Sequence, residues 1–340
     1  MGLNRWIQLM ITILLTGGGG AAIPGLIERL RHQEYRVVAA DMDPYAVGLY
    51  LADQGYVIPA GKSPDFLSAI RHICRKEQVH VLVPLVDEEL LAALELEKDN
   101  ITVLLPRSEF VSVCLDKFLL MQDLQAAGIR IPTTRLASQW DTTMPFPLLL
   151  KPRTGRGSRG VHIVNSPQEM ERVLSKSEYH ADALIVQEYI VGTEYTVSVV
   201  VWRDGEVQAV VPKEIVCKQG ITRIAVTRRN CDIEKLCLAI QDNCHADGPF
   251  NVQLRIDQQS GQPIPFEINP RFSTTVSLTT AAGVDELGGL ISQAVKGKDP
   301  EYFEDWQAGV VLLRRTLDIF IDESTFRERK IIDLTTHSML

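Results

Sequence analysis

The first hundred residues restrict the fold more than any other part of the chain. Short apolar runs at 10–15, 36–41, 79–84 and 102–105 alternate with segments whose apolar residues recur at helical spacing, as Phe66, Ile70 and Ile73 do. A run that is apolar at successive positions reads as a strand covered on both faces. Such strands, separated by helices, pair through crossovers and give a parallel, doubly wound α/β sheet. Helices at 23–32, 44–54, 64–76 and 87–97 and a short strand at 56–58 complete the pattern. Ligands of such sheets sit beyond the carboxyl ends of the strands, here 16–22, 41–44 and 84–89.

Those ends carry polar residues that admit two readings each. Glycines 17–20 with Asp41 downstream invite a dinucleotide-binding reading, but Ile23 stands where the third glycine of that fingerprint belongs. Asp87 and Glu88, with Glu89 next to them, could meet a substrate amino group or form the favourable acidic first turn of a helix.

The N-terminus resembles a secretory leader loosely, with Arg5 ahead of an apolar run at 6–16. A buried first strand fits better, because an α/β unit continues directly from it. The run is also too short to cross a bilayer. Residues 1–9 are expected to be an extension ahead of a domain that starts at 10. A net charge of −8 argues against a nucleic-acid footprint. Six cysteines without a C-x-x-C pair point to free thiols in a reducing cytoplasm rather than to disulfides. Cys244-His245 would be half of a zinc site, and no second half stands at zinc spacing.

From about 111 the pattern changes. A helix at 116–127 is followed by a strand at 147–152 carrying Lys151, a glycine loop at 154–160 and a returning strand at 161–165. Gly155, Gly157 and Gly160 let backbone N–H groups approach phosphate oxygens, and Ser158 adds a hydroxyl. The lysine precedes the glycines, so this is not a P-loop; a flexible hairpin loop is the bland alternative. Lys117 beside Asp116 reads, taken alone, as a helix surface pair. In 187–194, Gln-Glu-Tyr-Ile-Val-Gly-Thr-Glu, a strand runs into a glycine turn, offering backbone to a purine edge and Glu194 to ribose hydroxyls. Strands 251–257 and 263–269 form a hairpin. Period-2 alternation puts Glu267 and Asn269 on one face and Phe266 and Ile268 on the other. Gln253 faces them across the hairpin, and Pro270 and Arg271 end the strand. Oxygen donors of this kind suit a hard divalent cation. A solvated edge strand explains 265–271 equally well in isolation.

Taken in order, Asp116-Lys117, Lys-Pro-x-x-Gly-x-Gly-Ser-x-Gly from Lys151, Gln-Glu-Tyr-Ile-x-Gly-x-Glu from Gln187, and Asn-x-Gln with Glu-Ile-Asn-Pro-Arg resemble the ATP-grasp superfamily. The resemblance is to its carbamoyl-phosphate-synthase large-chain-like carboxylate–amine ligases, over roughly residues 10–300. It implies a Rossmann-like pre-ATP-grasp domain at 10–110 followed by an ATP-grasp fold of two α+β subdomains, 111–187 with the lid and 188–300 with the metal site. A strand and tail at 301–340 follow. It further implies that Lys117 and Lys151 hold ATP phosphates under the 155–160 loop. Glu188, Tyr189 and Ile190 would meet adenine and Glu194 the ribose. Gln253, Glu267 and Asn269 would hold Mg²⁺ (or Mn²⁺), two ions in all, and Arg271 would stabilise an acyl-phosphate. One ATP-grasp half is present where a full synthase large chain has two, and Gln253 stands where many relatives have an acid.

The implied reaction activates a carboxylate with ATP and couples it to an amine. Glu214, Lys218, Arg223 and Arg228 are candidates for phosphate or substrate contact, as Asp87 and Glu88 are for a substrate; a solvated face explains 213–229 about as well. Expected partners are small-molecule carboxylates and amines and a second copy of the chain, with no nucleic acid and no membrane. An ATP-binding regulatory protein without ligation and a nicotinamide-binding protein are the alternatives.

Overall fold

The computed structural model describes residues 10–157, 159–299, 301–315, 318–328 and 331–335. The extension at 1–9 and the lid hydroxyl of Ser158 therefore lie outside the described residues. The chain clusters into two compact units. The first takes in the chain up to Leu104, Leu290–Lys298 and the described residues from Asp318 onward; the second is Leu105–Gly289 with Asp299–Leu317.

The first unit is built on five parallel strands, β1 (Thr12–Thr16), β2 (Arg36–Asp41), β3 (Gln54–Val57), β4 (Val81–Val83) and β5 (Thr102–Val103), in the spatial order β3-β2-β1-β4-β5. Ile13, Leu14 and Leu15 of the central strand are fully buried, as a strand covered on both faces requires. The helix Ile23–His32 turns Ile23, Leu26, Ile27 and Leu30 inward. The helix expected over 44–54 is shorter, Val47–Leu51. Asp43 and Pro44 are held in a turn in which Asp43 Oδ1 accepts from the Tyr45 N–H at 2.9 Å. Gly48 then passes so close to the glycine turn that a Cβ there would sit 2.5 Å from the Gly18 carbonyl oxygen. Asp41 accepts from the Gly19 and Asp43 N–H groups, each at 2.8 Å, so its carboxylate organises its own turn.

The second unit holds two antiparallel sheets. The smaller has β6 (Thr134–Leu136), β7 (Leu148–Pro152), β8 (His162–Val164) and β9 (Leu184–Glu188) in the order β6-β9-β7-β8. The helix Pro167–Ser175 covers it and buries Met170 against Leu148, Leu150, Val164 and Val186. The larger sheet has β10 (Gly192–Val201), β11 (Val207–Gln219), β12 (Ile221–Thr227), β13 (Phe250–Asp257), β14 (Pro263–Asn269) and β15 (Val311–Leu313), ordered β14-β13-β10-β11-β12-β15. One face is apolar: Val197, Val199, Val252 and Leu254 pack with Ile233, Cys237 and Ile240 of the helix Cys231–Cys244. Alternation sends Thr196 and Ser198 to the other face. There the helix Val276–Ala281 brings Thr279 against Ser198 and Lys213.

Two boundaries move relative to the sequence expectation. The second unit starts at Leu105 rather than 111, because the helix Ser108–Leu115 places Phe110 and Cys114 in its core. β11 runs on to Gln219 and β12 follows at once, so 213–229 is sheet in large part. The strand expected within 301–340 is Val311–Leu313, and just beyond it the Arg314 side chain binds two carbonyl groups. The chain then rejoins the first unit as β16 (Ile332–Asp333), parallel to β3.

Candidate functional site

A cleft of about 350 Å³ lies within the second unit, between the small sheet and β10, β11, β13 and β14 of the large one. Leu149, Val161 and Ile163 wall one side, Ile190 and Phe266 the other. Six cationic side chains line it, Lys117, Lys151, Arg156, Arg159, Lys218 and Arg255, against the carboxylates Glu188, Glu194 and Glu267. In a chain of net charge −8 that excess of cations is local, and it suits a polyanion with an apolar end.

Each cation is placed by its element. Asp116 caps the helix Lys117–Ala126 by accepting from the Phe118 and Leu119 N–H groups, and it pairs with Arg153. That capping turns Lys117 inward, 8% exposed, with Nζ donating to the Gly155 carbonyl at 2.7 Å. Lys117 is thus not the surface residue that its neighbour suggests. Lys151 ends β7 and is buried, its Nζ 5.5 Å from the Phe266 ring centroid. Burial pushes its pKa down to about 8, with Glu267 opposing that shift and Lys117 and Lys218 adding to it. Gly155 and Gly157 have φ of 121° and 68°, conformations that glycine adopts without strain.

Beyond the lid, β9 ends in the predicted base-contacting segment. Glu188 clips it to Thr133, whose N–H donates to the carboxylate at 3.1 Å and whose carbonyl accepts from the Glu188 N–H at 2.8 Å. Arg255 donates to the Tyr189 hydroxyl at 3.0 Å and to the Ile190 carbonyl at 3.1 Å. Its remaining nitrogen reaches Glu194 at 3.3 Å, and Lys218 donates to the same carboxylate at 2.7 Å. Gly192 opens β10 where no larger residue fits, since a Cβ would meet the Ile256 carbonyl oxygen at 1.8 Å.

At the other end, Gln253 stands opposite Glu267 in the β13–β14 ladder, as expected, and both line the cleft. The register shifts between Gln253 and Leu254, whose partners are Glu267 and Pro265. Phe266 is therefore a bulged residue and faces the cleft beside Glu267, which corrects the strict alternation expected of 265–269. Asn269 and Arg271 do not line the cleft. Asn269 Nδ2 donates to Asn251 Oδ1 at 3.3 Å, and Arg271 reaches Asn269 Oδ1 at 3.4 Å and the Phe272 carbonyl at 3.2 Å. Both are buried. Among the described residues no group of three or more His, Cys, Asp or Glu gathers as a metal site. An oxygen patch of one carboxylate, Glu267, and one amide, Gln253, is what lines the cleft, and such donors fit a hard cation that shares its shell with phosphate and water.

Gly160 lies outside the cleft lining, and so do Glu214, committed to Arg228 at 2.7 Å, and Arg223. Asp87 and Glu88 belong to the first unit. Their neighbour Glu89 accepts from Thr16 and from the Leu85 and Val86 N–H groups at 3.2 and 3.1 Å. Arg255 was not singled out by sequence reasoning; Lys218 stood there as a possible phosphate or substrate contact, and Gln187 only as the first residue of the 187–194 motif. Gln187 is fully buried, its Nε2 donates to Thr134 Oγ1 at 2.9 Å, and its Oε1 has no partner among the described residues. A buried acceptor without a donor at the apolar end of a cleft suits a ligand N–H, such as a purine edge presents.

Residues 180–315 match the family model described as ATP-grasp in the biosynthetic pathway with Ter operon. The chain carries an ATP-grasp domain. Residues 13–104 match the PylC-like N-terminal domain. Carbamoyl phosphate synthase large chain from Xylella fastidiosa is 24% identical over 315 residues, 80% of this chain and 28% of that protein, so the chain spans little more than a quarter of that relative's length. The biotin carboxylase domain of Hydrogenobacter thermophilus 2-oxoglutarate carboxylase, a dimer in complex with MgADP, ADP and bicarbonate, superposes with a TM-score of 0.72 at 18% identity, over 89% of this chain and 73% of that one. The L-amino acid ligase from Bacillus licheniformis gives 0.67 at 17% identity, over 84% and 74%. The ATP-grasp match takes in β10 to β15 with Gln253, Glu267 and Arg271; Lys117, Lys151 and the lid precede it. No helix among the described residues is long and apolar enough to cross a membrane.

Proposed function

We propose that the chain is an ATP-dependent ligase that activates a carboxylate as an acyl-phosphate and couples it to an amine, releasing ADP and phosphate. The observation that carries this is the convergence of Lys117, Lys151, Arg156 and Arg159 on one cleft with the Glu267–Gln253 oxygen patch. The apolar slot of Leu149, Ile163 and Ile190 would take the adenine, with Glu188, Tyr189 and Ile190 along its edge and Gln187 Oε1 accepting from it. Glu194, balanced between Lys218 and Arg255, would accept from the ribose. Lys117 and Lys151 would hold the phosphates, and the 155–160 loop would exclude water.

Glu267, Gln253 and Asn269 would hold Mg²⁺ or Mn²⁺, which neutralises charge on the transferred phosphoryl group. A substrate carboxylate oxygen attacks the γ-phosphorus, and ADP leaves with the electrons of the broken P–O bond. The amine nitrogen then attacks the acyl carbon, phosphate leaves, and the nitrogen loses a proton. Arg271, held at Asn269, would stabilise the negative charge of the acyl-phosphate. The single carboxylate at this end favours one firmly held ion, the second being kept chiefly by phosphate oxygens. We place the enzyme in the cytoplasm on its free thiols.

The test is ADP release from Mg-ATP with paired amino acids as acid and amine. Release that depends on one acid is the expected result. A thermal-shift panel of Mg-ATP, Mg-ADP and NAD accompanies it: stabilisation by NAD alone would overturn the reading. Mg-ATP binding without acid-dependent ADP release would favour a regulatory ATP-binding protein, a reading that the recessed positions of Asn269 and Arg271 also support.

A further inference from the structure

Arg223 and Arg314 differ from several arginines of the second unit. Arg203, Arg228 and Arg255 each meet a carboxylate. Arg223 and Arg314 meet none among the described residues, and they meet each other. The Arg314 N–H donates to the Arg223 carbonyl at 2.8 Å, which sets the two residues side by side on β12 and the end of β15. Like charges opposite each other on neighbouring strands are unfavourable. Burial holds the Arg314 guanidinium below its usual pKa, and the Arg223 charge lowers it further. The buried Nε of Arg223 has no hydrogen-bond partner among the described residues. A desolvated donor without an acceptor is costly unless something supplies one.

The backbone at this point is specialised. Cys217 pairs with Ile224 and Lys218 with Thr222, so Arg223 is an extra residue in β12, a bulge that aims its side chain out of the ladder. Lys218 lines the cleft, so its partner Thr222 places Arg223 next to the cleft wall. Arg314 braces the same region. Its two terminal nitrogens donate to the Thr222 carbonyl at 3.0 Å and the Thr274 carbonyl at 2.6 Å. Thr274 lies three residues beyond Arg271, in the loop that leads into the helix Val276–Ala281. That helix covers the sheet face on which the register row Glu267, Gln253, Thr196 and Lys213 runs. Arg314 thus ties the Thr222–Arg223 bulge to the loop that follows Arg271, and no hydrogen bond among the described residues occupies the Arg223 fork.

We propose that Arg223, braced by Arg314, receives an anionic oxygen group of a substrate, a carboxylate or a phosphate, so that the ligase takes a substrate with a negative group besides the one that reacts. This deepens the ligase reading and rests on it for the word substrate. A guanidinium meets either group with two parallel N–H donors, which ammonium cannot do. A neutral amide or ester analogue would leave the two arginines uncompensated and be rejected.

The test is calorimetric titration of succinate and of inorganic phosphate into the full chain saturated with the magnesium complex of a non-hydrolysable ATP analogue. One probe is expected to bind at a single site: succinate identifies a carboxylate group, phosphate a phosphate group. Arg223→Gln is expected to weaken that probe by about 10-fold or more, roughly the loss of a charge-assisted hydrogen bond, with the affinity for the ATP analogue unchanged. Arg223→Lys, which keeps the charge and loses the fork, should fall between, and it carries the test if Arg223→Gln does not fold. Equal affinity of wild type and both variants, or binding of neither probe to wild type, would overturn the proposal. Arg223-dependent binding in a chain that does not bind the ATP analogue would instead overturn the ligase reading and leave the anion site standing.

Discussion

The two large sheets of the molecule bury their interiors in different ways. β1, β2 and β4 of the parallel sheet are apolar on both faces, and the deepest carboxylate near them, Glu89, has its acceptors filled by Thr16, Leu85 and Val86. The antiparallel sheet is apolar on one face only. Its other face buries Thr196, Ser198, Lys213, Asn251 and Asn269, and Lys213 is wholly inaccessible, donating to Ser198 and Thr279 at 2.7 Å each, near Glu286. Burying amides and an ammonium costs stability, and structures keep such groups where each finds a partner. The parallel sheet is therefore scaffold through its centre, whereas the antiparallel one carries a polar layer continuous with the cleft.

That contrast can be broken most forcefully at Lys213. Replacing it by alanine strands Glu286 and two hydroxyls, and unfolding in urea should show a loss of about 3–5 kcal/mol. A loss under about 1 kcal/mol would mean that the polar layer is not a stabilised network. Next comes Arg271→Ala, for which acid-dependent ADP release should drop about 10²–10³-fold while Mg-ATP affinity holds. An equal drop in affinity would make Arg271 a binding residue instead.

The two regions should also answer pH in opposite senses. Burial raises Glu89 from 4.5 to about 7, so the folded state holds its proton more tightly than the unfolded chain between those values. Stability should fall as pH rises from about 4.5 through 7, and Glu89→Gln should remove that slope. Lys151 is lowered from 10.5 to about 8, so the unfolded chain holds the extra proton and stability should rise with pH between those values. Its charge is present below about 8, so Mg-ATP affinity should weaken as pH rises through 8, by at most about tenfold per unit. Lys151→Arg should flatten that profile. The smallest effect sharpens the scaffold side: Ile13→Val should cost about 0.5–1.5 kcal/mol in stability and leave Mg-ATP affinity unmoved.

The parts legible in the sequence were those with local causes. Apolar runs between amphipathic helices gave the parallel strands. Three glycines after Lys151 marked a turn-rich loop beside the cleft, and pairing across the 251–269 hairpin put Gln253 opposite Glu267. What escaped depended on distant segments. Lys213 and Glu214 read as part of a solvated strand because nothing local shows that the helix Val276–Ala281 covers one of them. Arg255 looks like an ordinary strand charge, and the pairing of Lys218 has no local sign, until Glu194 comes between them. The bulge at Phe266 has no sequence mark, and it alone turns that ring toward Lys151.

The return of β16 has a consequence for how the protein is made. Ile332 pairs with Tyr56, 276 residues earlier in the chain. At roughly 5–20 residues per second of synthesis, β3 leaves the ribosome about 15–55 s before the strand that completes its sheet. During that interval the outer edge of β3 is an open row of N–H and C=O groups, the kind of edge on which other chains add. The parallel sheet is thus begun long before the strand that completes it, and a chain stalled before Ile332 would present that edge to its neighbours on the same message.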